Sequence, residues 1–167
     1  MQTTVSRTTI FRCSLERAFK TPILCDVSKI HTGFGPMPRV THCTEDEDWG
    51  RVGAKKRIFA APSWTFSGGE ASSDRILERV ENERWKIEVA DFKTWMLGFT
   101  RFVGEWRTTE LGPNEVRIDY VYTLHAGAPW LAPLQWLFAK IFWPVYMGRV
   151  LAHVRALAYA EAPYRPP

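Results

Sequence analysis

The sequence contains few cysteines, and their spacing excludes the common cysteine-based sites. Only Cys13, Cys25 and Cys43 occur in 167 residues, and no pair of them has the spacing of a zinc site. The opening segment MQTTVSRTTIFRC lacks the apolar core of a signal peptide. We therefore expect three reduced thiols, buried as small hydrophobic groups, in a cytoplasmic protein.

Motifs for the common catalytic and cofactor chemistries are also missing. The four histidines are scattered, with no H-E-x-x-H or other paired spacing, so no metal site is predicted. The GFG of residues 33–35 does not continue into a dinucleotide fingerprint. No nucleophile elbow, phosphate loop or catalytic triad pattern is present. The sequence therefore assigns no catalytic residue and predicts no cofactor.

An excess of one charge is likewise small. The chain has 22 Lys and Arg against 18 Asp and Glu, a net charge of +4, and its densest basic cluster is only Lys55-Lys56-Arg57. A nucleic-acid-binding domain usually carries a continuous basic stripe. We therefore expect no nucleic-acid partner.

Aromatic residues, in contrast, are abundant. The chain has eight Trp and ten Phe, and 46% of its residues are apolar while 24% are charged. No repeat, low-complexity tract or linker divides it, so this composition predicts one globular domain over residues 1–167. Aromatic side chains fill cores and also line pockets for apolar ligands.

The predicted order of elements is one strand, two short helices, six strands and a long helix. Alternation over residues 3–13 predicts the first strand, and Pro22 is expected to separate two short helices between Ser14 and Gly33. Alternating apolar residues with turn signals between them predict the other strands. These cover residues 39–44, 51–61, 75–81, 84–92, 99–109 and 115–125.

Residues 72–89 fit two structures. An amphipathic helix would place Ile76, Leu77 and Val80 on one face. A hairpin is favoured, because residues 85–89 alternate cleanly and Asn82 suits a turn.

This order of elements resembles the helix-grip fold of the START-like superfamily, also called SRPBCC, over residues 3–161. The local similarities are the opening VSRTTIFRCSLERAFK, the loop GFGPMPRV and the hairpin RILERVENERWKIEV. The resemblance implies an α+β fold in which a curved antiparallel sheet of about seven strands wraps around a long C-terminal helix. It also implies a cavity between sheet and helix. Members of the polyketide cyclase/dehydrase and lipid-transport type use this cavity for lipids, isoprenoids or polyketides, and some members are catalytic.

The C-terminal helix, predicted over residues 129–162, is apolar on two faces. The face expected to pack on the sheet ends in small residues and comprises Leu134, Leu137, Phe138, Ile141, Val145, Gly148 and Ala152. The opposite face comprises Trp136, Trp143, Met147, Val150 and Val154. The interior Pro144 is expected to kink the helix.

The second apolar face needs a cover. A membrane span is disfavoured, because Lys140 and Arg149 would lie within it. Three interpretations stay open: a homodimer through Trp136, Trp143 and Met147, peripheral contact with a bilayer surface, or cover by the chain's own short helices and loops.

Side chains that face the predicted cavity form the candidate ligand-binding site. They are Phe102, Trp106, Tyr120 and Tyr122 on the sheet, Phe138, Phe142 and Tyr146 on the helix, and Asp91. Asp91 continues the parity of Trp85, Ile87 and Val89, so strict alternation would point it inward as a polar anchor or base. A place at the solvated end of its strand is the alternative for Asp91. Trp64, Phe66, Trp95 and Phe99 are expected to flank the cavity mouth.

These residues predict the binding, for transport or sequestration, of a small hydrophobic ligand such as a lipid, isoprenoid or polyketide. Two alternatives stay open. One is a cyclase- or dehydratase-like enzyme on the same scaffold, with Asp91, His153 or a tyrosine as acid or base. The other is a protein-interaction module that uses the apolar C-terminal helix.

Overall fold

A computed structural model describes residues 1–94 and 96–165. These residues form a seven-stranded antiparallel sheet with the strand order β1-β7-β6-β5-β4-β3-β2. The strands are β1 (Gln2–Phe11), β2 (Val40–Glu45), β3 (Lys55–Ala60), β4 (Gly69–Val80), β5 (Arg84–Ala90), β6 (Phe99–Gly112) and β7 (Glu115–Ala126). Strands β2 to β7 pair in sequence order, and β1 pairs with β7 at the far edge.

One face of this sheet is buried, because the strands alternate as the sequence predicts. In β7 the residues Val116, Ile118 and Tyr120 are buried and their neighbours are more exposed. The predicted hairpin over residues 72–89 is confirmed as β4 and β5, and Asn82 in its turn adopts a left-handed φ of 59°. Strand β4 begins at Gly69, earlier than predicted, and therefore includes Asp74.

The prediction that Pro22 separates two short helices is wrong. A single helix α1 (Leu15–Leu24) continues through Pro22, and only a 3₁₀ turn (Val27–Lys29) follows it. Pro22 has no N–H to donate to the carbonyl of Ala18, four residues earlier. The indole N–H of Trp106, on β6, donates to that carbonyl at 3.1 Å instead. A residue of the sheet thus satisfies the acceptor that the proline leaves free.

The C-terminal segment is helical but not regular. It comprises a 3₁₀ turn (Pro129–Leu131), helix α2 (Ala132–Leu137), a π turn (Phe138–Phe142) and helix α3 (Trp143–Ala158). Pro144 cannot donate to the carbonyl of Lys140, and the π turn lies where the regular hydrogen-bond ladder is interrupted. The distortion predicted at Pro144 is therefore a π turn just before the proline.

The predicted orientation of the C-terminal helix is wrong. Leu134, Leu137, Ile141 and Val145, which were expected to contact the sheet, are exposed, whereas Phe138 is buried. The opposite face packs inward, where Trp143, Tyr146, Met147, Val150 and Val154 are buried. Both faces are apolar, so hydrophobicity alone did not decide between them. The larger rings pack inward because the curved sheet leaves a deep space to fill.

This orientation also removes the predicted dimer surface. Trp143 and Met147 lie in the core and only Trp136 is exposed, so the three residues do not form one surface. Within residues 1–94 and 96–165 no helix is long and apolar enough to cross a membrane. The α+β class and the sheet wrapped around a C-terminal helix are confirmed.

We predict that Trp106→Phe lowers the free energy of unfolding by about 2–4 kcal/mol, through lost packing and an unpaired Ala18 carbonyl. In a Pro22→Ala background the restored backbone N–H can donate to that carbonyl, so the loss should shrink by about 1 kcal/mol. Urea unfolding of the native protein, the two single variants and the double variant measures the loss in each background. Strictly additive effects would contradict the assignment.

Candidate functional site

A cavity of about 140 Å³ lies between the buried face of the sheet and helix α3. Strands β2 to β7 form its floor, α3 its roof and α1 part of its side. Its apolar wall includes Pro22, Val27, Ile30, Val40, Ile58, Ala60, Ile87, Val89, Phe102, Trp106, Val150 and Val154. Most of the wall is therefore hydrophobic, as in pockets that bind apolar molecules.

Five of the eight predicted site residues lie on the cavity wall. They are Phe102, Trp106, Tyr120, Tyr122 and Tyr146. Phe138 and Phe142 do not line the cavity, because the helix is rotated from its expected orientation. Phe142 instead stacks on Phe34 at a centroid distance of 5.7 Å and supports the loop of residues 33–38. Trp143 takes the expected place of Phe142 on the wall.

Asp91 does not face the cavity. It follows the last residue of β5, has a left-handed φ of 53° and is exposed. The change in φ breaks the alternation that would have pointed it inward. Its carboxylate accepts a hydrogen bond from the Ser73 hydroxyl at 2.5 Å on the outer face of the sheet. The alternative position at the solvated strand end is the one observed.

Loops surround the mouth of the cavity. Met37 and Pro38 of the 33–38 loop line it, and Thr65 donates a hydrogen bond at 2.7 Å to the Pro36 carbonyl. Phe92, Thr94 and Met96 line it from the loop between β5 and β6.

The aromatic residues expected at the mouth occupy different environments. Trp64 is exposed, Phe66 is half-buried and Phe99 is buried in the core. Trp95 lies outside the described residues.

Two charged side chains lie in the cavity wall, on neighbouring strands. Lys56 of β3 and Asp74 of β4 are directly paired across the sheet, and they are only 3% and 9% exposed. Lys56 and Asp74 do not form an ion pair within 4.0 Å. The Lys56 ammonium instead lies over the ring of Trp49, 4.1 Å from the ring centroid. Burial raises the pKa of Asp74 to about 6, and the nearby Lys56 charge opposes the rise.

Three tyrosine hydroxyls supply neutral polar groups. Burial raises the pKa of Tyr120 and Tyr146 well above the ordinary value and that of Tyr122 to about 12. They therefore stay protonated at neutral pH and can donate hydrogen bonds. The Tyr146 hydroxyl lies 2.8 Å from Nδ1 of His31. Burial, and then the Lys56 charge, lower the pKa of His31 to about 4, so its imidazole is neutral at pH 7.

Several polar atoms in the cavity wall have no partner. In residues 1–94 and 96–165, five buried side-chain nitrogen and oxygen atoms make no hydrogen bond, and three of them belong to cavity residues. These three are Oδ1 of Asp74 and the indole nitrogens of Trp85 and Trp143. Unpaired buried polar atoms cost folding free energy, and these three belong to residues that line one cavity, although the atoms themselves have almost no accessible surface.

A glycine makes room for one wall residue. The ring of Tyr122 lies against Gly104 on the paired strand β6, and a Cβ at Gly104 would lie 2.8 Å from the tyrosine Cζ. Any larger residue there would displace the tyrosine ring. No cluster of three His, Cys, Asp or Glu side chains that could hold a metal ion occurs in the described part of the chain.

Solved structures with the same architecture are numerous, although the sequences differ strongly. Truncated norcoclaurine synthase from Thalictrum flavum matches with a TM-score of 0.70 over 97% of this chain and 96% of that chain, at 10% identity. The Zhui aromatase/cyclase from Streptomyces sp. R1128 matches with a TM-score of 0.66 over 95% and 94%, at 12% identity. Ara h 8.0201 matches with a TM-score of 0.63 over 95% and 98%, at 11% identity. The chain has the helix-grip fold.

Identities this low show the helix-grip fold alone and transfer no activity. No protein-family model matches the chain, and no curated protein matches its sequence. The T. flavum enzyme has also been solved in complex with dopamine and hydroxybenzaldehyde.

Sequence reasoning missed the charged pair in the helix-grip cavity, although a signal was present. In β3, Lys56 shares the buried face with Ile58 and Ala60, and the buried Ala54 just before the strand has the same parity. Period-2 alternation therefore places Lys56 inward. Asp74 shares parity with Ile76, but it lay one residue before the predicted start of its strand.

We predict that Asp74→Asn stabilises the protein at neutral pH. The pKa of Asp74 is higher in the folded state than its ordinary value of 3.8, so its stabilising contribution is full below pH 4 and is lost as pH rises through about 6. The variant should gain on the order of 3 kcal/mol at pH 7, and the gain should develop between pH 4 and pH 7. Urea unfolding across this range measures it.

Asp91→Asn is the matched control for this substitution. It removes an exposed carboxylate that is bonded to Ser73, so it should not stabilise the protein at pH 7. A less stable Asp74→Asn protein at pH 7 would show that the buried carboxylate has a stabilising partner.

Proposed function

We propose that this protein binds a small, mostly apolar molecule in the cavity between its sheet and helix α3. The observation that carries the proposal is an open cavity with a mostly hydrophobic wall and a few polar side chains, among them Asp74 and Tyr122. An apolar molecule gains about 25 cal/mol for each Å² of surface that leaves water. The polar side chains of the wall would then fix its orientation.

The size of the cavity limits the ligand. One water needs a space of at least about 10–15 Å³, so a cavity of about 140 Å³ admits a molecule of many atoms. A compound with one or two rings or a short acyl chain fits this space, whereas a lipid with two long chains does not. Dopamine and hydroxybenzaldehyde, bound by the T. flavum enzyme of the same fold, are in this size range.

An enzyme on the same scaffold is the second candidate, because of Asp74. Its carboxyl group is buried at the cavity, and burial brings its pKa to about 6, near the range in which general acids and bases act. Asp74 is therefore a better candidate for the acid or base than Asp91 or His153. The His153 ring contacts the Ile30 carbonyl, and neither Asp91 nor His153 lines the cavity.

Mass spectrometry of compounds that co-purify with the protein separates these two functions. A compound that is released unchanged after prolonged incubation supports binding and transport. A compound that is chemically altered in the native protein, but not in Asp74→Asn, supports catalysis.

A module that acts only through protein contacts is the third candidate. Its best surface is the exposed apolar row of Leu134, Leu137, Ile141 and Val145 on the C-terminal helix. The open cavity weighs against this candidate, because a pure docking module gains nothing from an unfilled core.

We predict that Val150→Phe weakens ligand binding, because the larger side chain fills part of the cavity from helix α3. Val150 is buried on the cavity wall, and a phenyl ring there would occupy ligand space. The affinity for 2-methoxynaphthalene, a neutral probe of suitable size, should fall at least about tenfold. Equilibrium dialysis measures the affinity, and circular dichroism checks the fold.

Val145→Phe is the matched control, because Val145 lies in the exposed apolar row of the same helix. It should leave the affinity unchanged. If Val145→Phe weakens binding and Val150→Phe does not, the probe binds on the helix surface and the cavity proposal is wrong.

A further inference from the structure

The carboxylate of Asp74 is the most unusual group in the cavity. It is 9% exposed, its Oδ1 has no hydrogen-bond partner, and it lines the open space. Lys56, directly opposite on β3, does not lie within ion-pair distance of Asp74, and its ammonium contacts the Trp49 ring instead. Oδ1 itself has almost no accessible surface, so a ligand would reach the carboxylate through the part of Asp74 that remains exposed.

We propose that Asp74 accepts a hydrogen bond from a neutral hydroxyl group of the ligand, so that the bound molecules are small phenols or aromatic alcohols. This inference rests on the proposed function and adds the chemical class of the ligand.

The charges around Asp74 select a neutral donor. A carboxylate ligand would be repelled by Asp74 itself. An ammonium group would have to lose its water in an apolar cavity and lie near the buried Lys56 charge. A hydroxyl group has a small desolvation cost and forms a charge-assisted hydrogen bond with the carboxylate.

The register of the sheet favours an aromatic body for this hydroxyl. Asp74 pairs with Val89, and Val89 pairs with Phe102, so Phe102 lies two strand spacings, about 10 Å, from Asp74. A ring attached to a hydroxyl on Asp74 therefore lies over Val89 and reaches Phe102. The Phe102 ring packs edge-on against Trp143 at 4.9 Å, which provides an aromatic end to this path.

Three naphthalene probes of similar size test the inference by equilibrium dialysis. 2-Naphthol has the hydroxyl donor, 2-methoxynaphthalene lacks it, and naphthalene has no polar group. The native protein should bind 2-naphthol at least about tenfold more tightly than 2-methoxynaphthalene. In Asp74→Ala this preference should disappear, while the affinity for naphthalene stays within about threefold of native.

The controls separate folding from recognition. Asp74→Ala removes a buried unpaired charge, so it should unfold at the same temperature as the native chain or higher. Asp74→Asn serves as a second variant that keeps the side-chain shape, and it should reduce the preference for 2-naphthol. Asp91→Ala removes an exposed carboxylate outside the cavity and should keep the preference intact.

The possible failures are distinguishable. If none of the three probes binds to the native protein, the proposed function itself is contradicted. If naphthalene and 2-methoxynaphthalene bind but 2-naphthol has no advantage, or keeps its advantage in Asp74→Ala, only the role of Asp74 is overturned. If the cation 2-naphthylmethylammonium binds more tightly than 2-naphthol, the inference that the ligand is neutral is wrong.

Discussion

The contact between the inner face of helix α3 and the curved sheet is the interaction on which the rest of the structure depends. Trp143, Met147 and Val154 are almost fully buried in it. Each large side chain that leaves water in this way contributes on the order of 2 kcal/mol. Because the sheet curves away beneath the helix, the two surfaces do not meet everywhere, and the cavity is the space that remains.

The polar groups of this cavity oppose folding rather than support it. The unpaired Oδ1 of Asp74 and the indole nitrogens of Trp85 and Trp143 are removed from water without a partner in the protein. The rest of the core has to offset this cost.

Much of the fold could be predicted from the sequence because strands and turns leave local signals. The alternation of Val116, Ile118, Tyr120 and Tyr122 defines the buried face of β7, and the turn at Asn82 separates β4 from β5. Alternation also placed Phe102 and Trp106 correctly on the cavity wall. These predictions needed no knowledge of distant contacts.

The errors arose where a distant contact decides the local structure. Pro22 remains inside α1, and Trp106, far away in the sequence, donates to the Ala18 carbonyl that the proline leaves free. The C-terminal helix packs its aromatic face inward because the space beneath the curved sheet is deep enough for large rings. Both helix faces are apolar, so the local sequence does not indicate which of them is buried. Asp91 leaves the cavity because a single backbone φ changes at the strand end.

The bond between Trp106 and the Ala18 carbonyl has a consequence for how this chain can evolve. Trp106 provides the donor that Pro22 removes from its own helix, and both residues also line the cavity. A proline at position 22 without an indole at position 106 leaves a buried carbonyl unpaired. Substitutions at positions 22 and 106 should therefore be coupled in evolution. A change of ligand that requires a new residue at one of these positions should also require a change at the other.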